Sequence, residues 1–192
     1  VNKLLAIKLG YNYRKLYGYT EDNDPLMQYI TNLTLHEVGH VLGLRHNFRG
    51  SYLYSPDEIH DKNITGNVLM SSVMDYDPIN IAPEGVEQGI YFSTEPGVYD
   101  KWAVKFGYTP NLTDEERTAL LQQSVKRELT FGTDDDAMSY PGNNIDPRTK
   151  RYDMSNDPIG YAEDIVKIVD KKINELPEIF SDEELSLIHI SE

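Results

Sequence analysis

Apolar positions along the chain recur mostly with helical spacing. Leu4, Leu5, Leu9, Tyr13, Leu16 and Tyr17 predict a packing helix from Val1 to about Tyr17, with Lys3, Lys8 and Lys15 facing outward. Asp24-Pro25 reads as an N-cap and first helical position, opening a helix to about Leu42. Leu26, Ile30, Leu33, Val38, Val41 and Leu42 are expected to anchor that helix in the core. Residues 46–67 read as loop, and prolines 78, 83 and 96 with several glycines break regular structure from Asp77 to Gly97. Val98, Trp102 and Phe106 share one face of a short helix that Gly107 is expected to stop, with Trp102 as core and not a ligand-stacking ring. Thr113-Asp114-Glu115-Glu116 is a capping box opening a helix to about Leu129. Asp157-Pro158 caps a last helix to about Leu176, with Ile159, Ala162, Ile165, Val166, Val169 and Ile173 as its buried stripe. Strand patterns are scarce, and there is neither an internal repeat nor a low-complexity segment.

Composition narrows the function classes. At 192 residues, 39% of them hydrophobic, the chain suits one domain with a real core. A net charge of −14 argues against nucleic acid or an anionic membrane surface as partner, since both require basic patches. It only weakly suggests basic peptide segments as partners. The absence of cysteine removes disulfides and thiolate metal ligands. No apolar run approaches the roughly 20 residues of a membrane span. The chain starts in mid-pattern at Val1, so the natural N-terminus is expected upstream. Leu185 to Glu192 resembles translated sequencing-adapter sequence and is set aside, a native amphipathic turn being the alternative.

The chemistry concentrates in His36-Glu37-Val38-Gly39-His40-Val41-Leu42-Gly43-Leu44-Arg45-His46. His36 and His40 stand about one helical turn apart on one face and can share one Zn²⁺ at about 2.0–2.1 Å. Gly43 can take the left-handed conformation that stops the helix and lets His46 swing back as third ligand. Three protein ligands leave a fourth position for water, the pattern of a catalytic site. Glu37 stands where it can act as general base on that water. A chance match to five fixed positions, three of them histidine, has a probability on the order of 10⁻⁵, which favours metal over a merely solvated helix. His60 reads as solvated surface, and Asp134-Asp135-Asp136 as a solvated loop or a calcium site.

The HExxHxxGxxH stretch resembles the zinc motif of the metzincin metallopeptidases, and Ser72-Val73-Met74-Asp75-Tyr76 resembles their Met-turn. HEVGHVLGLRHNF, SSVMDYDPINIAPEG and DPRTKRYDMSNDPIGYAEDI are most similar to the met-zincin domain of large bacterial zinc-dependent metalloproteases, over most of the chain to about Leu176. The resemblance implies an α+β zincin fold, of which this chain holds the zinc helix and C-terminal subdomain while the N-terminal sheet subdomain is missing. It implies one catalytic Zn²⁺, a protein or peptide substrate, and export to the periplasm, cell surface or medium. Met74 would form an apolar floor beneath the imidazoles. Tyr76 would either ligate zinc or stabilise the transition state, or else simply pack beside the turn; Asp75 is given no catalytic role. Asn47 either orients an imidazole or caps the turn. The expected activity is endopeptidase hydrolysis through a metal-activated water with Glu37 as base. The rival is a catalytically silent zinc-containing binding or structural module, against which the presence of Glu37 speaks.

Overall fold

The computed structural model describes Arg14, residues 20–137 and residues 146–179. The expected first helix, Arg14 apart, and the 185–192 tail lie outside the described residues. Helix α1 spans Pro25–Val41. Asp24 caps it by accepting the Leu26 N–H at 3.0 Å, while its carboxylate also takes the Arg14 guanidinium. Its bounds match the expected ones, but its inward face does not. Gln28, Asn32, His36 and Gly39 are buried, whereas Ile30, Val38 and Val41 are 38%, 48% and 84% exposed. Leu26, Leu33 and Leu42 are only half-buried.

The reason for this reversal lies in what α1 packs against. Residues 89–94 form no strand, so their buried peptide groups need partners from elsewhere. Gln28 Oε1 accepts the N–H groups of Tyr91 and Phe92 at 2.7 and 3.1 Å. Four residues on, Asn32 Nδ2 donates to Ser93 O at 3.2 Å. The polar stripe of α1 is therefore the inner one, and Val38 and Leu42 line an open apolar groove with Val73, Pro96 and Val104.

The core is built mainly from irregular chain. Ile59, Leu69, Met70, Ile90, Met154 and Tyr161 cluster there, with Tyr54 and Ile165 packed against them. Side-chain amides hold these loops together. Asn80 Nδ2 donates to Ile59 O and Ile90 O, and Asn47 Oδ1 accepts from Gly132 N while its Nδ2 donates to Thr130 O. The 46–67 stretch contains a 3₁₀ turn at Gly50–Leu53 and helix α2 at Lys62–Thr65. His60, expected at a solvated surface, is instead buried beside the Ile59 cluster, and burial lowers its pKa.

Helix α3, Val98–Tyr108, runs through Gly107; Pro110 ends it by forcing Thr109 to an extended conformation. Trp102 is half-buried and donates its indole N–H to Leu120 O at 3.0 Å, tying α3 to α4. Helix α4, Asp114–Gln122, opens with the expected capping box but stops seven residues before Leu129. Two 3₁₀ turns, Gln123–Val125 and Arg127–Leu129, complete the stretch, because the chain must turn at Lys126 to bury Leu129. Helix α5 is Asp134–Ala137 and α6 is Pro158–Ile179. The expected stripe on α6 is mostly outside: Ile159, Val166, Val169 and Ile173 are 73%, 59%, 46% and 57% exposed. Of the expected stripe Ile165 does face inward, together with Tyr161 and Ile168, over Ile59 and Pro83. Among the described residues there is no strand, only an isolated bridge between Thr20 and Asn23.

Asp153 lies buried near Asp75, and burial pushes its carboxyl up to about 6. The folded protein therefore keeps this proton up to about pH 6, whereas the unfolded chain releases it near 3.8. The corresponding stability is complete below about pH 4 and lost as pH rises through the folded value. We expect Asp153→Asn to remove a decline on the order of 3 kcal/mol between about pH 4 and pH 7, read by urea unfolding across that range.

Candidate metal centre

Gly43 adopts φ +82°, a left-handed turn that only glycine enters without strain. Its N–H bonds to His40 O and the next, from Leu44, to Gly39 O, both at 3.0 Å. The chain reverses there, and His46 returns to the helix. Ring centroids of His36 and His40 are 4.8 Å apart, of His40 and His46 4.8 Å, and of His36 and His46 5.3 Å. One nitrogen from each ring lies within 4.8 Å of the other two. His36 is buried, His46 half-buried and His40 exposed, so the triad opens to solvent on one side.

Each imidazole is held from behind through Nδ1. His36 Nδ1 meets Val73 O at 2.7 Å, His40 Nδ1 meets Leu44 O at 3.0 Å, and His46 Nδ1 meets the Asp134 carboxylate at 2.9 and 3.0 Å. Carbonyls and carboxylates only accept, so all three Nδ1 atoms carry the proton and the Nε2 atoms keep their lone pairs, that of His46 facing the Tyr76 hydroxyl at 3.1 Å. Burial lowers the pKa of His36, which favours the neutral, ligating form. For Asp134, burial opposes the charge, but the hydrogen bond from His46 Nδ1 outweighs this and holds the carboxyl below its usual value. Three neutral imidazole donors on one side, fixed by three acceptors, fit Zn²⁺. Asp134 is thus not free in a loop but engaged with His46. Its neighbour Asp135 pairs with Arg45 at 3.0 Å, and Asp136 accepts the Thr133 N–H.

Beneath the helix runs the segment 72–76. Met74 is fully buried, and a Cβ built on Gly39 would stand 2.2 Å from its sulfur. The glycine between the paired histidines is therefore what lets Met74 lie against the α1 backbone. Asp100, in the first turn of α3, holds this segment from below. It accepts Ser72 Oγ at 2.6 Å, Val73 N at 2.8 Å and Gly97 N at 2.8 Å. Asp75 is buried as well and accepts Ser51 N and Tyr76 N. Burial first, then the charges of Asp153 and Asp77, push it well above the usual carboxylate range.

Tyr76 stands in the site. Its hydroxyl is 3.1 Å from His46 Nε2, and its ring packs between His46, Phe48 and Tyr152 at 4.8, 5.2 and 5.7 Å. Burial, then Asp134, raise its pKa, keeping the hydroxyl a donor. Glu37 is exposed at the rim of the same cleft, a volume of about 620 Å³ that all three histidines line. Asn47 orients no imidazole; it bonds to Thr130, Arg49 and Gly132. Sequence reasoning missed Asp134, Asp100 and the Asn32–Asp77 bond of 3.1 Å. Asp100 is an acidic residue in a helical first turn, a signal that was present; Asp134 gave none.

A family profile described as Met-zincin matches residues 19–188. The chain belongs to the Met-zincin family. No curated protein and no solved structure matches it. Met-zincin membership and the histidine triad together mark a zinc-dependent, peptidase-like domain whose three imidazoles can hold the ion. No described helix is long and apolar enough to cross a membrane.

Two outcomes follow for this Met-zincin site. Asp134→Asn should weaken zinc binding about 10–100-fold in competition with a chromogenic chelator, because His46 loses the charge that fixes its tautomer. Gly39→Ala should cost about 1–3 kcal/mol through overpacking on Met74. Adding Met74→Ala to Gly39→Ala should give a smaller loss than the sum of the single losses, as read by a denaturation cycle.

Proposed function

We propose that the protein is a zinc-dependent endopeptidase in which Glu37 is the general base and Tyr76 a hydrogen-bond donor to the reacting carbonyl. The observation that carries this reading is that Glu37, Tyr76 and the three histidines line one open cleft. A purely structural zinc site would be closed by a fourth protein ligand and would need no acid or base beside it. Here, among the described residues, only three donors of that kind converge.

His36, His40 and His46 would hold the ion, with Val73 O, Leu44 O and Asp134 setting ring orientation. A zinc ion so held acidifies a water molecule and polarises a carbonyl group. Glu37 takes the proton of the attacking water and returns it to the amine nitrogen as the C–N bond breaks. The Tyr76 hydroxyl, 3.1 Å from His46 Nε2, donates to the carbonyl oxygen as negative charge builds there. Met74 and Asp100 act only by holding the segment that carries Tyr76 and Val73. Export of the protein to the periplasm, cell surface or medium belongs to the same proposal and follows from the resemblance.

Glu37→Gln at matched zinc content should lower kcat/KM on a quenched-fluorescent peptide mixture about 10²–10⁴-fold. Tyr76→Phe should lower kcat more than it changes KM. Undiminished turnover in Glu37→Gln would remove the general base from this scheme.

A further inference from the structure

The cleft contains a carboxylate that the chemistry above does not use. Asp77 directly follows Tyr76, lines the cleft and is half-buried there. Its Oδ2 accepts the Asn32 amide at 3.1 Å, and Asn32 is itself fixed through Ser93 O at 3.2 Å. Asn32 precedes His36 by four residues on α1, so Asp77 is anchored about 6 Å along the helix from the first metal ligand. Among the described residues lining the cleft there is no lysine or arginine, while Glu37, Asp75 and Asp77 all line it. Asp75 is occupied by two backbone N–H groups, and Glu37 sits at the histidines. Asp77 has only its own main-chain N–H and the neutral Asn32 amide to offset its burial, which pushes the carboxyl up to about 7.

A partly desolvated carboxylate without a cation is an unfavourable element unless something supplies the charge. Tyr29 and Phe92, with ring centroids 5.3 Å apart, line the same cleft and give an aliphatic stem or a guanidinium plane a surface to lie on. An extended lysine or arginine side chain is about as long as the rise of roughly 6 Å that separates Asn32, the partner of Asp77, from His36 along the helix. We propose that the cleft recognises peptides carrying a lysine or arginine beside the bond held at the histidines, with the cation meeting Asp77 as oriented by Asn32. The inference rests on the peptidase reading for its substrate class, and on the Asn32–Asp77 geometry for its charge preference. Asp77 is here a specificity residue, and Asn32 positions it.

The test uses peptide hydroxamates that differ only in a lysine, norleucine or glutamate next to the chelating group. Their affinities for the zinc-loaded protein are measured by displacement of a fluorescent hydroxamate. The lysine compound should bind at least tenfold tighter than norleucine, and glutamate weakest. In Asp77→Asn the lysine-to-norleucine ratio should fall to about one, and in Asp77→Lys the glutamate compound should become the tightest. Equal affinities of the three compounds for the parent protein would overturn the proposal without recourse to any variant. A preference that survives Asp77→Asn would overturn it too. Hydrolysis of the matching peptides separates the two readings. Cleavage without a side-chain preference removes the charge inference alone. Lack of cleavage together with the lysine-first order of affinities removes the peptidase reading and leaves cation recognition by Asp77 standing.

Discussion

The helix backbone at Gly39 rests against the Met74 sulfur, with no side chain between. That contact sets the height of segment 72–76 under α1, and with it the 2.7 Å bond from His36 Nδ1 to Val73 O. Tyr76 reaches His46 only because it leaves the same segment two residues later. Helix, floor and aromatic donor therefore form one packed unit, and protein interiors transmit a displacement of this kind because they are close-packed.

Much of the remaining architecture replaces secondary structure with polar side chains. Gln28, Asn32, Asn47, Asn80, Asp75 and Asp100 each satisfy main-chain groups of irregular segments, at positions where a sheet would supply ladder bonds. Buried loops are tolerable only under this condition, since an unpaired peptide group costs about as much as a lost hydrogen bond. Amides suit the task because one side chain both donates and accepts. Carboxylates suit the positions where several N–H groups converge, as at Asp100, although burial raises its pKa against those bonds.

The convergence of the three histidines, the glycine stop, the α1 bounds and the Thr113 capping box were legible in the sequence, because each depends on spacing within one or two turns. The inward faces of α1 and α6 were not. Periodicity locates apolar stripes but does not say which stripe the molecule covers, and on α1 the hydrogen-bonding demand of residues 91–93 decided in favour of the amides. His60 was misjudged for a related reason, since polar neighbours in sequence do not report what packs on the ring. Asp134 was read as part of a solvated acidic run because its partner is 88 residues away. The end of α3 went to Pro110 over Gly107, since proline excludes helix from the residue before it while glycine merely permits a stop.

The contrast between local ligands and a distant orienting carboxylate bears on the order in which the site matures. All three imidazoles come from one eleven-residue stretch, so closing them into a ring costs little chain entropy and can occur as soon as α1 and its terminal turn exist. The bond from His46 to Asp134 spans 88 residues and must wait until α3, α4 and the turns after them have docked. An ion can be captured by a nascent hairpin of the chain and gripped at full strength only at the last docking event.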